Sequence, residues 1–231
     1  MNALKVIAFD ADDTLWVNEP YFRETEEHFC KMLEDFLPQH STNKELYKTE
    51  IGNLDLLGYG TKSFIISMIE TAMQITQGNI SHEMIQKIID LGKEQLNKPV
   101  VLLDGIEDVL SHLHGRIRLV MATKGELMEQ EAKLMKSGLD HFFHHIEIVS
   151  EKNKRSYAKL IKHLDVKPNE FLMVGNSVKS DILPVLELGG NAIHIPYHTT
   201  WEHERVDVSI EHDRFRHIEH ISEVLDFIQL P

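Results

Sequence analysis

Five short runs of this chain are apolar throughout or nearly so: VIAF at 6–9, IRLVMA at 117–122, IEIV at 146–149, FLMV at 171–174 and AIHI at 192–195. A strand wetted on one side alternates polar and apolar residues, so a run without alternation needs cover on both faces. Between the runs lie segments with apolar residues at helical spacing: Ile106, Val109, Leu110 and Leu113; Leu127, Leu134 and Met135; Tyr157, Leu160, Ile161 and Leu164. Gly115, Gly138 and Gly189 follow such segments, where a left-handed residue ends a helix. Strand alternating with helix predicts an α/β fold, a mainly parallel sheet with helices on both faces. Such sheets take their ligands beyond the carboxyl ends of the strands.

Residues 18–99 break the alternation. Helical patterns near 20–37, 44–57, 62–77 and 82–97 are separated by Pro38, Gly58, Gly60 and Gly78 and closed by Pro99. Phe22, Phe29, Leu33 and Phe36 make one face of the first, and Phe64, Met68, Ile69 and Met73 suit a buried face of the third. The expected organisation is a core of residues 1–17 and 100–231 with a helical insertion at 18–99. Within it, LLGYGTKSF at 56–64 can turn sharply and present Tyr59, Thr61 or Lys62 for substrate selection, with an ordinary interhelical loop as the competing reading. ISEVLDFIQL, at 221–230, is expected to be a helix closing over the sheet.

Composition narrows the function. With 24 Lys and Arg against 37 Asp and Glu, the net charge of -13 works against nonspecific attraction to nucleic acid or anionic membrane. A phosphorylated partner therefore needs locally placed cations. The single cysteine, Cys30, cannot form an intrachain disulfide, which fits a reducing cytoplasm. No stretch approaches the roughly 18 apolar residues of a membrane span, so a soluble protein without a removed leader is expected. The fifteen histidines show no paired ligand spacing that would build a second metal site.

The chemistry gathers where the apolar runs end. KVIAFDADDTLW, residues 5–16, places three aspartates within four positions. Residues two apart on an extended segment share a side, so Asp10 and Asp12 can face one site while Asp13 points elsewhere. Two such carboxylates repel unless a cation or proton compensates, and a hard divalent ion such as Mg²⁺ does this through oxygen ligands. One carboxylate could attack phosphorus while the other handles protons; an acidic turn competes with this reading. VMATKG at 120–125 puts Thr123 after a strand, where its hydroxyl and nearby N–H groups could hold a phosphate oxygen. EKNKRSY at 151–157 offers Lys152 or Lys154 to neutralise a carboxylate and a transferring phosphoryl group. GNSVKSD at 175–181 ends a strand tightly at Gly175 and can bring Asp181 back as a metal ligand or an N-cap.

The order D-x-D-x-T, Thr, Lys, G-N-x-x-x-x-D resembles the haloacid dehalogenase-like hydrolase superfamily, over residues 5–16 and about 101–196. The resemblance implies a Rossmann-like core, an α-helical cap at 18–99, Mg²⁺ as cofactor and an aspartyl intermediate. It also implies roles. Asp10 is nucleophile and metal ligand; Asp12 is general acid and base, its backbone carbonyl also on the metal. Thr123 binds phosphate, Lys152 orders nucleophile and phosphate, and Asp181 completes the metal site. Lys154 competes with Lys152, which is favoured by its distance to Tyr157. Two positions depart from the family pattern: Asn176 stands where Asp is frequent, weakening the negative field, and Lys124 stands where Asn is frequent, adding positive charge over the phosphate. The expected activity is hydrolysis of a small phosphorylated metabolite. Asp12 speaks against dehalogenase chemistry; a phosphosugar mutase uses the same acid and base, and a phospho-accepting signalling receiver also gathers Asp, Thr and Lys at strand ends. No nucleic-acid or membrane partner is expected.

Overall fold

The computed structural model describes residues 4–228. All five apolar runs are strands: β1 (Val6–Phe9), β2 (Arg118–Lys124), β3 (His145–Val149), β4 (Phe171–Gly175) and β5 (Asn191–His194). A sixth, β6 (Phe215–His217), has no apolar run to announce it. They form one parallel sheet in the order β3-β2-β1-β4-β5-β6. The chain builds outward from β1 through β2 to β3, then returns to the other side of β1 as β4. That reversal creates a switch point beside β1, where open α/β sheets bind ligands.

Both faces of β1, β2, β4 and β5 are covered, which is why these strands lack alternation, whereas β3 and β6 at the sheet's edges are only partly covered. Ile7 and Phe9 of β1 pack with Leu119, Met121, Leu172 and Val174 against α5 (Ile106–Leu113) and Leu134 of α6 (Leu127–Ser137). Val6 and Ala8 point the other way, packing with Val120, Phe171 and Met173 against α7 (Lys154–His163) and Val185 of α8 (Leu183–Leu186). Burying each of these large apolar side chains contributes about 1.5–3 kcal/mol. The expected α-helix at 221–230 is instead a 3-10 segment, Ile221–Phe227, which still buries Ile221 and Val224; Gln229 and Leu230 lie outside the described residues. In α6, Leu127 and Met135 are exposed, so only Leu134 of the expected apolar trio reaches the core.

The chain divides into two compact units. The first comprises the chain up to Glu19, Val100–Lys124 and the chain from Gln130; the second comprises Pro20–Pro99 and Gly125–Glu129. The chain leaves and re-enters the first unit along paired segments, with Val17 N–H donating to Val101 at 2.9 Å and Leu103 N–H to Leu15 at 3.0 Å. The second unit holds most of α1 (Glu19–Met32) and all of α2 (Gln39–Leu57), α3 (Thr61–Ile75) and α4 (His82–Asn97) around Phe29, Leu33, Leu46, Phe64, Met68 and Ile88. A Cβ at Gly92 would lie 2.1 Å from the Ile65 side chain, so glycine sets the close approach of α3 and α4. Phe36 and Met73, expected on buried faces, are exposed: α1 stops at Met32 before Phe36, and Met73 falls outside the apolar stripe of α3. In the turn at 56–64, Thr61 donates N–H and hydroxyl to Glu129 at 2.9 Å, and Lys62 pairs with Glu126 at 3.2 Å. These two side chains therefore have partners inside their own unit.

Candidate active site

Phe9 is level with Met121 and Val174 in the sheet, so Asp10 leaves β1 between the ends of β2 and β4, with its N–H on the Val174 carbonyl at 2.9 Å. Lys152, from the β3–α7 turn, donates to Asp10 Oδ1 and, at 2.7 Å, to Asp181 Oδ1. The three side chains are nearly or fully buried. Asn153 caps α7 through the N–H groups of Arg155 and Ser156, and Ser156 returns a bond to Asn153 N–H, which fixes the residue next to Lys152. Lys154 points away to an exposed pair with Glu187 at 3.8 Å. The lysine brought to the carboxylates is thus Lys152.

Asp181 sits on a π-helical turn, Val178–Ile182, whose extra width lets it fold back over Gly175. Its Oδ1 accepts from Lys152 and from Tyr157 hydroxyl at 3.4 Å, and its Oδ2 accepts from Ser177 N–H at 3.0 Å. Thr14 hydroxyl lies 3.5 Å from Asp10 Oδ2 and 3.4 Å from Asn176 Oδ1, drawing those two oxygens toward one point. Burial is the main reason the Asp10 carboxyl is pushed up to about 7; Lys152 pulls it down, and Asp181 and Asp12 push it further up. For Lys152, burial alone would depress the ammonium, yet Asp10 and Asp181 hold it up at about 12.

Asp12 has its own partners. Trp16 indole N–H donates to Oδ1 at 2.7 Å, Gln130 amide to Oδ2 at 2.8 Å, and Lys133 ammonium to both oxygens at 3.0 and 3.2 Å. The carboxylates of Asp10 and Asp12 therefore do not share donors, although the charge of Asp12 acts on Asp10. Asp13, left-handed at φ 58°, accepts from the N–H groups of Asn18 at 2.8 Å and Glu19 at 2.9 Å and so caps the start of α1. Burial raises its carboxyl to about 7 against the pull of those two N–H groups. Thr123, buried at the end of β2, donates its hydroxyl to the Lys124 carbonyl at 3.2 Å. Lys124 pairs with Glu204 and donates to Ser180 Oγ at 3.0 Å.

The sequence and the fold match a known family. A family model described as haloacid dehalogenase-like hydrolase fits residues 4–189. The chain belongs to that family. A solved haloacid dehalogenase-like family hydrolase from Xanthomonas campestris is 35% identical, with a TM-score of 0.86 over 96% of this chain and 88% of its own. The chain is also similar to mouse N-acylneuraminate-9-phosphatase, 26% identical over 126 residues, and spans about half (51%) of that protein. It is 26% identical over 203 residues to glyceraldehyde 3-phosphate phosphatase of Methanothermobacter thermautotrophicus, covering 82% of this chain and 84% of that protein. Membership sets the chain among hydrolases rather than signalling receivers.

Sequence reasoning did not assign Trp16, Gln130, Lys133, Thr14, Ser177 or Glu204. Gln130 and Lys133 had a usable signal, since residues three apart on a helix share a face; Glu204 had none. For a metal, Asp10 Oδ2 and Asn176 Oδ1 converge on Thr14, whereas both oxygens of Asp181 already have protein donors. Among the described residues no group of three His, Cys, Asp or Glu side chains is gathered for metal binding. The donors here are oxygens only, and Asp10 and Asp181 outnumber Lys152 by one charge. A hard divalent cation fits that set.

Proposed function

We propose that this protein is a Mg²⁺-dependent phosphatase that hydrolyses a small phosphorylated metabolite through an aspartyl phosphate on Asp10, with residues 18–99 as its cap. The observation that carries the proposal is the buried Lys152 ammonium holding Asp10 Oδ1 and Asp181 together where β1 ends, with Thr123 at the end of β2. Lys152 holds the Asp10 carboxylate in place for attack on phosphorus by one of its oxygens. Thr123 and adjoining backbone N–H groups hold a phosphoryl oxygen. As the Asp10–phosphorus bond forms, the bond to the leaving oxygen breaks and Asp12 gives that oxygen a proton. Asp12 then takes a proton from water, whose oxygen attacks phosphorus, releasing phosphate and restoring Asp10. Trp16, Gln130 and Lys133 steady Asp12 between the two transfers. Asp10, the Asp12 backbone carbonyl and Asn176 would hold Mg²⁺, and Asp181, the further ligand expected from the sequence, holds Lys152 beside them. The ion, when bound, supplies positive charge against the phosphoryl oxygens. The phosphatases among its relatives support phosphoric monoesters as the substrate class.

The test is hydrolysis of an aryl phosphate by purified protein, followed by a panel of phosphorylated metabolites. Activity should require Mg²⁺, disappear with chelator, and fall by at least about a thousandfold in Asp10→Asn. Full activity in Asp10→Asn overturns the covalent route. Transfer of the phosphoryl group back to a sugar, in place of free phosphate, would favour the mutase.

A further inference from the structure

The long connection from β5 to β6 carries a 3-10 turn, Glu202–Glu204, pinned by side chains from elsewhere in the same unit. Glu204 accepts from the Lys124 ammonium, from Ser177 hydroxyl and, at 2.6 Å, from Ser180 hydroxyl. Next to it, Lys179 ammonium donates to the His203 carbonyl at 2.8 Å. Lys124 ends β2, while Ser177 and Ser180 belong to the turn after β4. Those strands flank β1 on opposite sides, so one carboxylate ties together the two walls of the opening that holds Asp10. The Lys124 and Glu204 side chains are only 14% and 12% exposed, too enclosed for water to screen the pair fully.

Burial alone would raise the Glu204 carboxyl; Lys124 and the three hydrogen bonds bring it down to about 2. Glu204 is therefore ionised across the neutral range. Lys124 also lies 3.9 Å from Glu151. A lysine directly after Thr123 adds no net charge to the phosphate side while Glu204 sits against it.

We propose that Glu204 sets the phosphate affinity of the site by cancelling the charge of Lys124, so that a phosphoryl oxygen is gripped without that cation and phosphate is released readily. The proposal rests on the phosphatase reading for its meaning but is measured without turnover. Removing the Glu204 charge would leave Lys124 beside the phosphate position with the more exposed and more distant Glu151 opposite it. Removing Lys124 would leave Glu204 as an uncompensated anion there.

The experiment is calorimetric titration of the full chain with inorganic phosphate in Mg²⁺ buffer. The Kd for phosphate should fall about tenfold in Glu204→Gln, the effect of one partly buried unit charge. It should rise by a similar factor in Lys124→Gln and return to within about twofold of the starting value when both changes are combined. Ser180→Ala, which loosens the turn without altering charge, should leave Kd within about twofold. Wild-type or weaker affinity in Glu204→Gln overturns the proposal. So does a double variant as weak as Lys124→Gln, which would show Lys124 gripping phosphate directly, or a Ser180→Ala effect as large as that of Glu204→Gln. If the affinity pattern holds and no phosphoric monoester is hydrolysed, the role of Glu204 stands and the phosphatase reading falls; hydrolysis with a flat affinity pattern gives the reverse.

Discussion

Gly175→Ala places one methyl group where the site has no room for it. A Cβ at this position would lie 2.3 Å from Asp181 Oδ2, 2.4 Å from its Cγ and 2.8 Å from its Cβ. Because the nearest atoms include the base of the Asp181 side chain, rotation at its end cannot relieve the overlap. Asp181 is fully buried, with one oxygen on Lys152 and Tyr157 and the other on Ser177 N–H. The carboxylate must therefore leave at least one donor. Overpacking a filled site costs about 1–3 kcal/mol, and losing a hydrogen bond to a charged group costs about 1.5–3 kcal/mol. The expected loss is about 2.5–6 kcal/mol, read from urea denaturation followed by circular dichroism at fixed pH with linear extrapolation. Activity towards an aryl phosphate should fall in parallel, since Lys152 loses one of the two carboxylates that orient it. A variant within about 1 kcal/mol of wild type would refute the reasoning, because it would mean that Asp181 is not held where these contacts put it.

Gly52 provides the opposite sign: it lies exposed within α2 with nothing within 4 Å of an added Cβ, so Gly52→Ala should stabilise by roughly 0.5–1 kcal/mol in the same assay. Stability should also depend on pH in an unusual sense in metal-free buffer. Asp10 and Asp13 are each raised from 3.8 to about 7 in the folded chain, which therefore binds more protons than the unfolded chain between these values, and stability falls as pH rises from about 4 to about 7. Glu204, lowered from 4.5 to about 2, contributes stability above 4.5 that is lost as pH falls through 2, so the urea midpoint should peak near pH 4–5. A midpoint that rises steadily from pH 5 to 8 would contradict the burial of these two aspartates.

What the sequence disclosed follows the range of the forces involved. The strands β1, β2 and β4 were legible because cover on both faces removes alternation locally, within four to seven residues. β6 was not, because FRH is three residues long and borders the sheet through a single partner, leaving no apolar run to detect. Periodicity misplaced Phe36 and Met135 for a related reason: spacing locates a face but neither the residue at which a helix ends nor the width of the surface covering it. The three aspartates after β1 illustrate the limit most closely. Alternation set Asp13 apart, but beyond the nearby Thr14 and Trp16, Asp10 and Asp12 were separated by distant partners that no local pattern contains. Lys152 lies 142 residues from Asp10, and Gln130 lies 118 from Asp12. Glu204 is 80 residues from Lys124, in a segment without periodicity. A carboxylate on such a connection looks from its neighbours like any solvated acid. Only once parallel pairing has set β2 and β4 on either side of β1 do Lys124, Ser177 and Ser180 become one enclosure, and only then does a glutamate from the loop beyond β5 find its charge partner there.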